Sequence, residues 1–240
     1  MDCGVAGVTL LEAIDIRRSR RKYLPGPIEP QTKEALLALA KEYSEKAGAR
    51  IELVFDNPAA FDGLRKTYGM LSGVRNYAGL IAQKDDKEAI ERLGYYGELL
   101  MLHAVSMGLG TCWVGGSFDR ASCPFKLIGY EEIACTITLG HTNERNSLRE
   151  NLIYGITHRK TKAIGQMMDI DAPAPDWFLA GMRAVQKAPS AVNRQPVMFS
   201  YRNGVVSAAT PGKDDTGSLL DLGIAKAHFE LGAGRSVFQI

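Results

Sequence analysis

Four arginines stand within five positions, Arg17-Arg18-Ser19-Arg20-Arg21, followed by Lys22 and Tyr23. Guanidinium forks with a hydroxyl among them suit a phosphate dianion, which needs charge-assisted donors converging on one spot. The plainer alternative is a solvated basic helix end. Far downstream, Pro189-Ser190-Ala191-Val192-Asn193-Arg194-Gln195-Pro196 reads as a small polar turn leading into a strand. Between them, an apolar run from Gly97 through Ala104 ends in Gly108-Leu109-Gly110, and Thr111-Cys112-Trp113-Val114 then delivers Gly115-Gly116. Such a glycine pair lets backbone N–H groups approach a planar ligand with no Cβ in the way. Arg159 and Lys160 form a further basic pair, a common surface pattern in isolation. No acid–base pair or nucleophile stands out, and no GxGxxG follows a strand, which argues against a resident NAD domain. Tyr68, Tyr95 and Tyr96 could wall a substrate pocket or simply fill a core.

These residues need elements to hold them. Leu10 to Arg18 reads as a short helix, with Thr9 and Glu12 forming a capping box. Gln31 to Ala47 carries an apolar face at helical spacing. Arg50 to Phe55 alternates as a strand, and Asn57-Pro58 opens a predicted helix through about Leu71. A buried strand at 79–82, a long helix over 87–107, and strands at 111–114 and 133–139 follow. Asp169 to Pro175 reads as a linker. After it, the pattern predicts a helix at 176–187, a hairpin of 197–201 and 205–208 around Arg202-Asn203-Gly204, and a helix at 219–231. Gly232-Ala233-Gly234 would close that helix, with a strand at 235–238. The second helix-glycine-strand succession echoes the first and suggests a duplication with a shortened second copy.

The 240 residues suffice for one large domain or two small ones. A net charge of +2 is too small to argue for nucleic acid, so the basic residues matter locally. No apolar stretch approaches the ~20 residues of a membrane span, and no signal peptide is visible, which points to a cytoplasmic protein. Cys3, Cys112, Cys123 and Cys135 show no CxxC and no metal spacing with the histidines, so reduced thiols are expected.

The motifs together resemble the FMN-dependent nitroreductase family, over essentially Leu10 to Ile240. The resemblance implies an α+β nitroreductase-like fold, a mostly antiparallel central sheet flanked by helices, and FMN as cofactor. In that family Arg-Arg-Ser-x-Arg holds the flavin phosphate, which carries over to Arg17, Arg18, Ser19 and Arg21. The loop at Trp113, Val114, Gly115 and Gly116 would reach the N5 and O4 edge of the flavin. Arg159 and Lys160 would form a second cationic clamp. Pro189, Ser190 and Asn193 match the Pro-Ser-x-x-Asn segment that a partner subunit normally supplies. Here Asn193 of that segment lies 172 positions after Arg21, the first half has Glu45 to Arg50 in its place, and the second half has no arginine cluster. The implied arrangement is a monomeric pseudodimer, 9–168 fused to a shortened 175–240. The implied activity is transfer of electrons from NAD(P)H to a nitroaromatic, quinone or similar small acceptor by a ping-pong mechanism. A non-catalytic flavin-binding protein and a cofactor-free structural homologue are the alternatives.

Overall fold

The protein is represented by a computed structural model that describes residues 7–143, 161–171, 173–212 and 214–240. The chain opens on α1 (Leu10–Ile16), where the capping box is present: the Glu12 amide donates to Thr9 Oγ1 (3.2 Å) and the Thr9 amide to Glu12 Oε2 (2.8 Å). The helix stops short of Arg18, because Arg17 is already extended at φ −54, ψ 132. Helix α2 (Pro30–Ala47) ends on left-handed Gly48 and leads into β1 (Arg50–Val54). In place of the long helix predicted from Asn57 there is a single turn, α3 (Leu64–Thr67). Left-handed residues stand on both sides of it, with φ +98 at Gly63, +48 at Tyr68 and +67 at Gly69, so the helix cannot propagate.

Strand β2 (Asn76–Gln83), helix α4 (Lys87–Ser106), β3 (Gly110–Val114) and β4 (Glu131–Gly140) complete the first unit. The sheet order is β1-β2-β4-β3, antiparallel throughout. Both faces of β2 are covered, which explains why it reads as a continuous apolar run. Ala78 and Leu80 join the core under α2 and α4, while Tyr77 and Ile81 join a second core with Phe61, Cys112 and Phe118. A second, three-stranded sheet follows in the order β5-β6-β7. Strand β5 (Met168–Ile170) takes up the start of the tract expected to be a linker, and pairs parallel with β6 (Met198–Arg202). Strand β7 (Val205–Ala209) closes the predicted hairpin. Helix α5 (Asp176–Val185) and helix α6 (Thr216–Ala233) pack against this sheet around Phe178, Phe199 and Phe229.

Gly234 caps α6 in the left-handed region at φ +65, but no strand forms at 235–238. The amides of Val237 and Phe238 instead donate to Glu230 Oε1 (2.6 and 2.8 Å), so a side chain takes the hydrogen bonds a neighbouring strand would have supplied. Cys112 and Cys135 are buried, Cys123 is half-buried, and none of the three is in a disulfide. No helix among the described residues is long and apolar enough to cross a membrane.

Helices α4 and α6 meet backbone to backbone. A Cβ on Gly94 would lie 2.3 Å from the Leu220 carbonyl oxygen, and one on Gly223 would lie 1.9 Å from that of Glu91. Replacing Gly223 by Ala should gain about 1 kcal/mol of helix propensity. Overpacking against backbone that cannot yield should cost about 3 kcal/mol. Urea unfolding should therefore show a net destabilisation of about 2 kcal/mol, and an unchanged midpoint would show that the two helices part freely.

Candidate functional site

After α1 the basic run travels extended along β3, the edge of the first sheet. The Arg20 amide donates to the Thr111 carbonyl (2.8 Å), and Ser19 and Thr111 form a parallel bridge. Tyr23 anchors the far end through its hydroxyl, which donates to the Arg20 carbonyl (2.9 Å) and lies 2.7 Å from Thr138 Oγ1. An extended chain sends successive side chains to opposite sides. Arg20 is thus buried against Gly110, while Ser19 and Arg21 line a cavity of about 1020 Å³, which Arg17 and Arg18 at the end of α1 also line.

The other walls come from distant parts of the chain. Trp113, Val114 and Gly115 line the cavity from β3 and the loop after it, Pro189, Ser190 and Asn193 from the downstream turn, and Leu220, Asp221 and Ile224 from α6. Gly116 is not among the lining residues. Arg159 and Lys160 lie outside the described residues. Tyr95 and Tyr96 are not in the wall either: Tyr96 stacks on Tyr43, and Tyr95 donates to Glu230 Oε2 (2.5 Å). Tyr68 is 76 % exposed, two residues from Met70 at the cavity. Two contacts tie the N-terminal and downstream motifs together. Arg17 Nη2 donates to the Lys187 carbonyl (3.3 Å), and Lys187 pairs with Asp15.

The downstream turn is strained. Val192, Asn193 and Gln195 have φ of +47, +52 and +47. A β-branched residue there is a true outlier that persists only when its surroundings overdetermine it. Gln195, which sequence reasoning left without a role, supplies much of that constraint. Its amide donates to Ser190 Oγ (2.9 Å), its Oε1 accepts from the Lys162 amide (2.8 Å) and its Nε2 donates to the Gln186 carbonyl (3.0 Å). Asp221 holds the other side by accepting the Ala191 N–H at 3.1 and 3.3 Å.

Behind Trp113 lies a buried polar chain. The indole Nε1–H donates to Glu98 Oε2 (2.7 Å), and Glu98 Oε1 lies 2.7 Å from His228 Nε2. His228 Nδ1 faces the Ala184 carbonyl (3.1 Å), which only accepts, so Nδ1 carries a hydrogen. One proton therefore sits between Glu98 and His228, both fully buried. Glu98, Asp221 and His228 were the missed polar residues, and each stands inside an otherwise apolar helical run, which was the available signal.

Several features leave room for a ligand. Arg17 Nε is a buried donor with no hydrogen-bond partner among the described residues. Burial lowers the Arg17 pKa, and the negative charge of Glu98 opposes that shift. A Cβ on Gly115 or Gly116 would meet no protein atom within 4 Å, and neither glycine has the left-handed backbone that would demand it. Burial pushes the Asp221 carboxyl up to about 7, opposed by the Ala191 N–H and Arg194.

The family model described as "Putative TM nitroreductase" matches residues 9–233. A solved structure of a putative nitroreductase from Thermotoga maritima superposes with a TM-score of 0.62 at 21% identity, covering 94% of this chain and 83% of that one. An FMN-dependent nitroreductase from Clostridium difficile R20291 gives a TM-score of 0.43 at 18% identity, over 62% of this chain and 97% of its own. A nitroreductase family protein from Clostridium difficile 630 gives 0.47 at 16% identity, over 69% and 100%. No curated protein matches the chain. The first of these structures shows a nitroreductase-like α+β fold for this chain.

The raised Asp221 pKa has a sign. Its folded-state value lies above that of the unfolded chain, so the native state binds the extra proton. The resulting stability is present at acid pH and lost as pH rises through about 7. Asp221→Asn removes that loss. The melting temperature of the variant should exceed that of the wild type above neutrality, and the gap should close below about pH 4, where both reference forms are neutral. A gap independent of pH would refute the assignment.

Proposed function

The chain belongs to the nitroreductase family whose model spans residues 9–233, and on that premise we propose that it is an FMN-dependent NAD(P)H oxidoreductase. The observation that carries this reading is the meeting of Arg17, Arg18, Ser19 and Arg21 with Trp113 to Gly115 and Pro189 to Asn193 around one cavity. Its volume of about 1020 Å³ is at the upper end for small-molecule sites, as a long flavin nucleotide requires.

In this reading Arg17, Arg18, Ser19 and Arg21 hold the phosphate, and the orphaned Arg17 Nε–H is one of the donors awaiting it. Arg159 and Lys160 serve as a second clamp. The backbone at Val114 and Gly115, which line the cavity, and at the adjoining Gly116 would meet the reactive edge of the ring. Ser190 Oγ accepts from Gln195 and keeps its own hydrogen to donate, and Asn193 lines the cavity beside it. When bound, FMN supplies the two-electron chemistry that none of these side chains can perform. The protein's part is to bind, orient and partly cover it. A reduced nicotinamide and an oxidised acceptor, a nitroaromatic or quinone, then use the open side in turn. The halves 9–168 and 175–240 act as a fused pseudodimer, each supplying what the other lacks, in a monomeric cytoplasmic protein.

FMN added to the purified protein should bind at one per chain, bleach when NADH or NADPH is added without oxygen, and recolour with a quinone. A protein that takes up no FMN refutes the reading. Bound flavin that neither nucleotide bleaches would leave a flavin-binding protein without this activity.

The phosphate contacts have their own test. Charge-assisted hydrogen bonds contribute about 1.5–3 kcal/mol each, so Arg17→Ala with Arg21→Ala should weaken FMN binding more than about tenfold. Riboflavin lacks the phosphate and should lose far less. This comparison also separates phosphate binding from any loosening of the Lys187 turn that Arg17 supports. Equal losses for both ligands would show that these arginines do not hold the phosphate.

A further inference from the structure

A hydride acceptor such as a quinone leaves as a neutral product only if it also gains a proton, and the cavity wall contains one group placed to give it. Three acids among the described residues line the cavity. Asp15 is ion-paired with Lys187, and Glu132 is half-exposed. Asp221 is 6 % exposed. Among the described residues its carboxyl accepts only the Ala191 N–H, shared between the two oxygens at 3.1 and 3.3 Å, so each oxygen keeps a lone pair on which a proton can be carried. Ala191 stands between Ser190 and Asn193, the two residues assigned to the ring, and Asp221 lines the same cavity as both.

Resting on the functional reading above, we propose that Asp221 donates the proton that accompanies hydride uptake by the acceptor. For a quinone, the hydride that the reduced nicotinamide supplies through the site brings two electrons and one hydrogen. The Asp221 O–H bond breaks as an O–H bond forms at the other quinone oxygen, the hydroquinone leaves, and the carboxylate regains a proton from water in the cavity. The surrounding charges suit a group that cycles between forms. Arg194 from the turn favours the carboxylate, and Asp215 at the start of α6 opposes it. Glu91 on α4 is neutralised by Lys226, and Asp15 on α1 by Lys187. With its pKa raised to about 7, the carboxyl is available in both states near neutrality.

The test uses the full chain loaded with FMN and reduced by NADH, then mixed with either a quinone or ferricyanide. Ferricyanide takes single electrons and no proton. General acids contribute about 10²–10⁴-fold, so Asp221→Asn should slow reoxidation by the quinone at least about 100-fold below neutral pH. Reoxidation by ferricyanide should change far less. In the wild type the quinone rate should fall as pH rises through neutrality, and the variant should show no such fall. Independently of turnover, infrared titration of the flavin-free protein should show a carboxyl band that fades over the same pH range and is missing in Asp221→Asn. Equal losses with the two oxidants, an unaltered pH profile, or the absence of that band in the wild type would overturn the proposal. A protein that NADH cannot reduce refutes the functional reading instead, and this inference falls with it.

Discussion

The arrangement of the cavity depends on one buried carboxyl. Glu98 sits on α4 with no solvent contact, and reaches β3 through the Trp113 indole and α6 through His228, whose other nitrogen reaches α5. A buried acid–base pair is a poor source of net stability, but removal of either member strands the other at a cost of about 3–5 kcal/mol. The pair therefore acts as a specificity device. It fixes which face of α6 meets α4, and with that the direction in which Asp221 points. It also fixes the Trp113 ring against Gly97, where a Cβ would lie 2.9 Å from Trp113 Cη2. The arginine run, the loop after β3 and the strained turn are then placed around a wall whose rotation is already set.

Backbone-to-backbone packing makes the same choice from another direction. Gly94 and Gly223 let α4 and α6 come close enough for the Glu98 to His228 contact to form at 2.7 Å. Close helix approach and a buried polar contact thus reinforce each other, and the register of the two helices is specified twice.

Where the signal was local, the sequence was readable. The Thr9–Glu12 capping box, the long α4 and the hairpin at Asn203-Gly204 are each determined by residues close to one another in the chain. The helix predicted to start at Asn57-Pro58 failed because Gly63 and Gly69 take left-handed backbones that confine it to one turn. The strand at 235–238 failed because Glu230 satisfies its amides. Within the candidate site, the two motifs could be read because their residue types are unusual. Asp221, Glu98 and His228 could not, since a lone polar residue in an apolar helix is interpretable only once its partner is known. For Glu98 and His228 that partner is 130 positions away. The route of Arg17 to Arg21 along β3 was equally hidden, because it is set by hydrogen bonds to Thr111.

The contact between Arg17 and the Lys187 carbonyl spans 170 positions, and this separation orders events during synthesis. The first sheet and α4 can assemble from residues already outside the ribosome. The cavity cannot, because its opposite wall, at residues 189–224, emerges well after them. Until α6 arrives, Glu98 has no histidine, Gly94 has no helix to lie against, and the apolar face of α4 is open to other chains. A nascent chain therefore spends much of its synthesis with its future ligand site half-built and adhesive, the state in which protective chaperones are most needed. Loop-closure entropy adds to the delay, growing slowly with the length of chain to be closed.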